Sequence, residues 1–253
     1  MPTFLTRTLP IAALLLALFS GMDAPFSFLS AARAAPASTE EVAPPPPLVL
    51  RTPSDFVKIT AGDGTLFEEN ARQLGERGTL LRLFLPENQA HFYEEGKNHA
   101  LTRQLVVYTM EKKDKAAFET EEVALLGRIL EESFSSFGKI PEEAQHDSLA
   151  LEEALLQAAH KGRNILIDTR TTENLRLFQY QLVYSLSSGQ SDDGNDDSMC
   201  TSLTTAMMLV RGHIVFICAS SINTQSPLYE DATWTRDVVD KYMATLMADN
   251  KKN

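Results

Sequence analysis

The residues best suited to chemistry lie in an acidic stretch that joins two predicted strands in the second half of the chain. Its oxygen donors Asp193, Asn195 and Asp197 alternate along the sequence, as do the first three ligands of a calcium-binding loop. The sixth position of such a loop is a glycine and the twelfth a bidentate glutamate, but here they are Ser198 and Thr204. The pattern favours a solvated turn, and a Ca²⁺ site at these three donors is the alternative.

The five histidines show no spacing that suits a metal site. A helical zinc site needs two histidines four residues apart, often within an HExxH motif, and the sequence contains neither pattern. The sequence therefore indicates no cofactor other than Ca²⁺. We expect each histidine to be exposed or to have a structural role: His91, His99, His146, His160 and His213.

No motif for nucleophilic catalysis or phosphate binding is present. The chain has no GxSxG, no GxGxxG and no P-loop. Cys218 directly follows the apolar run 214–217, and burial there would raise the pKa of the thiol and leave it unreactive. The sequence therefore predicts a protein that is not an enzyme. A hydrolase with an unrecognised site is the alternative.

Exported proteins often contain disulfides, and strand geometry limits whether the two cysteines of this chain can form one. A hairpin with a two-residue turn at 211–212 places Cys218 opposite Thr205 and Cys200 opposite Asn223. Five residues of strand then separate the two thiols, which is roughly 17 Å at about 3.4 Å per residue. A disulfide needs Cα atoms within about 7 Å, so we predict two free thiols, with Cys218 in the core.

The predicted elements that position these residues follow a simple order. Hydrophobic periodicity and turn residues indicate a strand, a helix, two strands, two helices, four strands and a helix. Thr120 is the expected cap of the second helix. The strands are predicted near 56–59, 79–85, 101–110, 163–170, 175–186, 202–210 and 213–219, and the helices begin near 66, 120, 148 and 234.

Four consecutive strands with short connections must be largely antiparallel. The terminal helix is long enough to cover one face of that sheet, and the earlier helices can cover the other. The sequence thus predicts an α+β fold, a three-layer α/β/α sandwich with a mainly antiparallel central sheet. We expect it to form a single domain over residues 54–253, because the first three strands are too few for a separate core.

Two pairs of aromatic residues have a spacing that places each pair on one face. Tyr180 and Tyr184 share a face of a predicted strand, and Trp234 and Tyr242 share a face of the terminal helix. Core packing explains both pairs. If one of these faces is open, the aromatic rings line an interaction groove instead.

The first 34 residues have the three parts of a secretory signal peptide. Arg7 supplies the positive end, 11–19 is the apolar run, and Ala32-Arg33-Ala34 is a cleavage site, with 35–37 as a second candidate. The apolar run is shorter than the roughly 20 residues that span a bilayer. We expect cleavage, a periplasmic or secreted location and no stable membrane insertion; an uncleaved anchor is the alternative.

Composition limits the classes of partner. Residues 35–53 form a Pro-rich linker, which we expect to be a stiff, extended spacer. The whole chain is 43% hydrophobic and carries a net charge of −11. The composition is that of a globular protein, and the charge repels phosphate backbones, so we expect no nucleic-acid binding.

Two stretches form a recognisable pattern. The first has Leu83-Phe84-Leu85-Pro86-Glu87, Gly96 and the strand start 103–106, and the second has the turn 211–213, the strand 214–218, Trp234, Arg236 and Asn250. Together they resemble a group of uncharacterised exported bacterial proteins with a Mog1/PsbP-like fold. The chain departs from the group at the turn, where many members have a lysine and this chain has His213.

The resemblance implies an exported accessory or binding module, since this fold carries mainly binding and assembly roles. It also implies that a partner, such as a protein of the cell envelope, docks on one sheet or helix face. The alternatives are a small-molecule or Ca²⁺ binder and the hydrolase named above.

Overall fold

The computed structural model describes residues 44–62, 65–74, 78–96, 101–110, 116–185, 198–223 and 227–251. Within them, eight strands and six helices form. The strands are β1 Phe56–Ile59, β2 Thr79–Pro86, β3 Arg103–Met110, β4 Gly138–Lys139, β5 Ile165–Thr172, β6 Leu175–Ser185, β7 Ser198–Val210 and β8 His213–Asn223. The helices are α1 Thr65–Leu74, α2 Glu87–Glu94, α3 Thr120–Ser133, α4 Glu142–Gln145, α5 Ser148–His160 and α6 Leu228–Asp249.

All eight strands belong to one sheet with the order β1-β2-β3-β8-β7-β6-β5-β4. Every neighbouring pair is antiparallel except β4 and β5, which are parallel. The prediction of an α+β fold with a mainly antiparallel sheet is confirmed. The sheet is mixed only at the edge where the two-residue strand β4 lies.

The β7–β8 hairpin has the predicted register. Cys218 lies opposite Thr205 and Cys200 opposite Asn223, and both thiols are free. The turn works because Arg211 has φ 53° and Gly212 has φ 83°, and a two-residue hairpin loop with positive φ at both positions matches the twist of its strands. The prediction of two unpaired cysteines is therefore confirmed.

Strand alternation divides the core between the two faces of the sheet. On β3, Val106 and Tyr108 belong to one buried cluster, and Leu105 and Val107 belong to another. The first cluster contains apolar residues of α1 and α3, and the second contains those of α6. A third cluster joins α5 and the start of α6 to β5. Each face of the sheet thus buries its own apolar set against helices.

Three elements were not predicted from the sequence. The helix α2 buries only Ala90, so it lacks the apolar stripe by which a helix is recognised. The strand β4 and the helix α4 have two and four residues, which is too short for a periodic signal. The prediction that Thr120 caps α3 is wrong: the N-cap is Glu119, whose backbone N–H donates to the Glu122 carboxylate at 2.9 Å.

The end of the Pro-rich segment contacts the domain, which the sequence did not predict. We call residues 44–53 the strap. The Val49 backbone is held by the amide of Asn250, which accepts from its N–H and donates to its C=O, each at 2.9 Å. The His213 Nε2–H donates to the Pro46 carbonyl at 2.8 Å, and Leu48 packs against the cluster under α6. The strap thus covers one end of that cluster.

We expect Asn250→Ala to lower the free energy of unfolding by about 2 kcal/mol, because Asn250 is 5% exposed and satisfies groups of both the strap and the Leu246 carbonyl. Urea denaturation measures this change. The neighbouring variant Lys251→Ala is the control, since Lys251 is exposed, and should stay within about 0.5 kcal/mol of the parent. Equal stabilities of the two variants would show that the strap is not anchored here.

In the described part of the chain, no helix combines the length and the apolar character needed to cross a bilayer.

Candidate functional site

An open groove of about 640 Å³ lies beside the middle of α6. Its walls are α6, the strap, β1, the end of β2, the start of α2 and the start of β3. We call it the Trp234 groove. Its lining includes three aromatic residues, one proline and two basic residues: Phe56, Trp234, Tyr242, Pro86, Arg103 and Lys241. Its volume falls within the range of small-ligand pockets.

Strand register brings part of this lining together. Phe56 lies opposite Pro86, and Arg103 lies opposite Ser221. The register between β2 and β3 pairs Phe84 with Leu105, and continuing it by two residues places Pro86 opposite Arg103. The result is a row that crosses four strands on the face covered by α6. No single strand reveals this row, because its members come from distant parts of the sequence.

A buried carboxylate, that of Asp231, binds two members of this row, Arg103 and Ser221. Asp231, in the first turn of α6, is 5% exposed. It accepts from Arg103 Nη2 at 2.9 Å and from Asn223 Nδ2 at 2.6 Å, and the Ser221 hydroxyl also donates to it. Arg103 Nε donates to the same serine at 3.2 Å. Asp231 therefore attaches α6 to β3 and β8 and holds the guanidinium in place.

The guanidinium lies over an aromatic surface. The Arg103 Cζ is 4.9 Å from the centre of the Trp234 ring, a cation–π distance. The ring of Phe56 is 6.4 Å from that of Trp234, and the ring of Phe84 is 5.8 Å from that of Tyr242. Trp234 is partly exposed, whereas Tyr242 is 4% exposed. The two aromatics predicted to share a helix face both line the groove.

The hydroxyl of Tyr242 is buried and has no hydrogen-bond partner among the described residues. Burial raises the pKa of Tyr242 to about 12; nearby Arg82 acts in the opposite direction and Asp249 in the same direction. The phenol is neutral at physiological pH and keeps a proton to donate. A buried hydroxyl without a partner loses a hydrogen bond that water would otherwise supply.

The start of α2 is also open to the groove. Pro86 is its N-cap and provides no side-chain cap, and Glu87 and Asn88 line the groove. The Glu87 N–H donates to the Asp55 carbonyl at 3.0 Å, which joins the helix to the residue before β1. The following backbone N–H groups in the first turn of a helix have no intrahelical partner.

The groove mixes both signs of charge. Arg51, Arg103 and Lys241 line it, and so do three exposed acidic residues on its rim. The acidic residues are Asp55, Glu87 and Asp237. Positive and negative groups are thus equal in number here, in a chain that has 23 basic and 34 acidic residues.

Trp234 and Arg236, which lie two residues apart in α6, have different roles. Trp234 lines the groove, but Arg236 binds Asp168 of β5 at 2.6 Å and Asp240 at 3.0 Å. Arg236 therefore ties α6 to the other half of the sheet. Sequence reasoning identified Trp234 but missed Arg103 and Phe56, whose positions depend on strand register.

The three oxygen donors that the sequence singled out for metal binding fall outside the part of the chain that the structure describes. Asp193, Asn195 and Asp197 lie outside the described residues, so the calcium hypothesis stays a prediction, and His99 also lies outside them. Of the other histidines, three are exposed and His213 binds the strap. The described residues contain no group of three or more His, Cys, Asp or Glu that could hold a metal ion.

Both thiols are buried, at 4% exposure for Cys200 and 0% for Cys218. Burial raises the pKa of Cys200 from 9.0 to about 11 and that of Cys218 to about 12, although the hydrogen bonds that the Thr205 and Tyr108 hydroxyls donate to the Cys218 sulfur act in the opposite direction. The thiolate is the reactive form of cysteine. The expected inertness of Cys218 therefore has a physical cause in the fold.

We expect neither thiol to react with Ellman's reagent at neutral pH while the protein is folded, and both to react after unfolding in guanidinium. Titration of the thiolate absorbance should show ionisation of the native thiols only near pH 11 to 12. Rapid reaction of one thiol equivalent in the native protein would contradict the burial described here.

No protein-family model matches the chain, and no curated protein matches it.

Proposed function

We propose that the chain is an exported, non-enzymatic accessory protein that docks a protein of the cell envelope in the Trp234 groove. The signal-like segment 1–34 directs its export, and residues 54–253 act as one Mog1/PsbP-like domain with a three-layer α/β/α arrangement. The presence of helices in the buried clusters of both sheet faces supports that arrangement. The resemblance noted in the sequence supports an accessory role.

The observation that carries the proposal is the Arg103 guanidinium held 4.9 Å over the partly exposed Trp234 ring. Tryptophan and arginine are enriched among the residues that dominate binding energy at protein interfaces. Here both are fixed before any partner binds, because Asp231 holds the arginine and Phe56 packs beside the tryptophan. A preorganised surface loses less conformational entropy on binding.

The test is capture of a partner from crosslinked cell envelopes with groove variants. The double variant Lys241→Glu, Thr245→Glu changes two exposed residues that line the groove. Arg128→Glu on α3 is the matched control, because Arg128 is exposed and belongs to a helix whose apolar residues lie in the cluster on the other sheet face.

We expect the groove variant to recover at least about tenfold less of the same partner than the parent, a loss of roughly 1.4 kcal/mol, and the control to recover an equal amount. Recovery of the parent as a lone monomer would contradict the proposal. Equal recovery by both variants would contradict the assignment to this groove.

A further inference from the structure

The outer edge of β5 is open for most of its length. β4 is the last strand of the sheet on this side, and it pairs only with Ile165 and Leu166 of β5. The chain then leaves the sheet at Pro141, the N-cap of the short helix α4. Within the described residues, the stretch 168–172 therefore has a neighbouring strand on its inner side, β6, and none on its outer side.

The main-chain groups of β5 alternate between its two sides, as in any strand of an antiparallel pair. Leu166 faces outward, because its carbonyl accepts from the Ile140 N–H at 3.1 Å, and it lies opposite Tyr180 of β6. The bulge after Leu166 shifts the alternation on β5, so that the next two residues opposite outward-facing positions of β6 are Thr169 and Thr171. The N–H and C=O groups of these two threonines therefore point away from β6, toward the open edge.

Charged side chains often protect an edge strand from pairing, and β5 carries two of them. Asp168 binds Arg236 of α6 at 2.6 Å. Arg170 binds Asp240 of the same helix at 3.3 Å. Side chains of a strand stand roughly perpendicular to the sheet, so both ion pairs lie on the α6 side and leave the main chain of the edge accessible. Thr169 and its neighbour two residues on are both exposed.

A cavity of about 790 Å³ lies along this edge, and its lining comes from both faces of the sheet. Three apolar lining residues belong to the buried cluster that contains α3, and three charged ones form the ion pairs on the α6 side. These residues are Phe134, Leu166, Phe178, Asp168, Arg170 and Arg236. An occupant of this cavity would continue the sheet, with alternate side chains on an apolar side and on a charged side.

The surroundings of the edge favour a single extended chain as the occupant. Glu131 of α3 and the α4 residues Glu142 and Gln145 line the same cavity, so helices flank the edge. A cavity of this volume holds a few residues and excludes a folded domain. A second copy of the protein would bring a whole sheet and a second net charge of −11 to the same place.

We infer that the outer edge of β5 binds one extended segment of a partner protein, which adds to the sheet as a strand beyond β4. Main-chain groups of the segment bond to Thr169 and Thr171, and its apolar side chains lie on the α3 side. In this mode of recognition, main-chain bonds supply affinity and alternate side chains supply specificity. The edge shares no lining residue with the Trp234 groove, so the inference goes beyond the proposed function.

Amide hydrogen exchange, measured residue by residue, tests the open edge. In the free protein we expect the amides of Thr169 and Thr171 to exchange at least about tenfold faster than that of Arg170, which faces β6 opposite Leu177. Equal protection of all three amides in the free protein would overturn the inference, because the edge would then already be paired.

The probe for binding is a blocked heptapeptide of four threonines that alternate with valine, phenylalanine and valine. We expect it to slow exchange at Thr169 and Thr171 at least about tenfold and to leave Arg170 unchanged. Two further peptides carry N-methyl groups either on the three apolar residues or on the three threonines that precede them, which removes N–H donors from one side of the added strand.

One of the two methylated peptides should bind at least about tenfold more weakly than the parent peptide, and the other should bind equally. The peptide that loses affinity shows whether the added strand runs parallel or antiparallel to β5, because the two ladders use different residues of the strand. Equal affinities of the two methylated peptides, or no protection of the edge by the parent peptide, would overturn the inference.

Proline at position 169 tests the same bond from the protein side. Thr169→Pro removes an N–H that faces away from β6, a position where an edge strand tolerates proline, and should weaken the peptide at least about tenfold. The control Thr169→Ala keeps the main-chain groups and should bind within about twofold of the parent. Equal affinities of the two variants would overturn the inference; the methylated peptides test it in the parent protein, whatever the stability of the proline variant.

The double variant Lys241→Glu, Thr245→Glu separates this edge from the Trp234 groove. Both changed residues line the groove and neither lines the cavity beside β5, so the variant should bind the heptapeptide as the parent does. Weaker binding by this variant would place the peptide in the Trp234 groove and overturn the inference. Unchanged peptide binding together with equal envelope capture would instead contradict the proposed function and leave the edge site standing.

Discussion

Replacement of Phe84 by alanine is expected to lower the free energy of unfolding by about 4 kcal/mol. Phe84 is a β2 residue that is 0% exposed, and its side chain belongs to the cluster packed between the sheet and the helix α6. Its ring packs 5.8 Å from that of Tyr242. The variant loses the transfer free energy of a phenyl ring and leaves a cavity beneath the groove.

Urea denaturation measures this effect, and the slope of the transition should not change if the unfolded state is unaffected. The control is Val49→Ala, because Val49 is an apolar strap residue that is 44% exposed, and its effect should be below about 0.5 kcal/mol. A similar loss in both variants would mean that the core under α6 is not packed as described.

Asp231→Ala is expected to have the second largest effect, a loss of about 3 kcal/mol. The substitution removes the acceptor shared by Arg103, Ser221 and Asn223 and leaves Arg103 without its charged partner. The full penalty of a buried ion pair does not apply, because the Arg103 side chain is 31% exposed and water can reach it. The start of α6 loses its attachment to β3 and β8.

The same variant should alter the groove. Without Asp231, the Arg103 guanidinium is no longer fixed over Trp234, so acrylamide should quench Trp234 fluorescence more strongly than in the parent. Asp240→Ala is the matched control on the same helix, because Asp240 pairs with Arg170 and Arg236 at a partly exposed position. It should cost at most about 1 kcal/mol and leave the quenching unchanged. Equal quenching in both variants would contradict the role given to Asp231.

The sequence predicted well those features that depend on local patterns. Alternation along β7 and β8, with Gly212 in the turn, predicted the register and the free cysteines. Gly162 marked the end of the helix α5, because the left-handed conformation it adopts, φ 59°, is unfavourable for other residues. In each case, the residues that carry the pattern are neighbours in sequence of the turn or helix end that they predict.

The sequence could not predict features that depend on distant residues. The proline content of the strap indicated an extended chain, but its hydrogen bonds to Asn250 join residues 201 positions apart. The Trp234 groove combines β1, β2, β3 and α6, so it exists only once the strands are in register. Trp234 could be identified from its place in the helix, while the role of Arg103 could not.

Position-resolved photocrosslinking in living cells tests the central claim, that a partner docks in the Trp234 groove, most directly. A photoreactive amino acid replaces Val238, which lines the groove, or Arg128, which is exposed on α3 and does not line it. We predict one discrete adduct from position 238 that is lost in the Lys241→Glu, Thr245→Glu background, and none from position 128. The same adduct from both positions, or none from position 238, would contradict the claim.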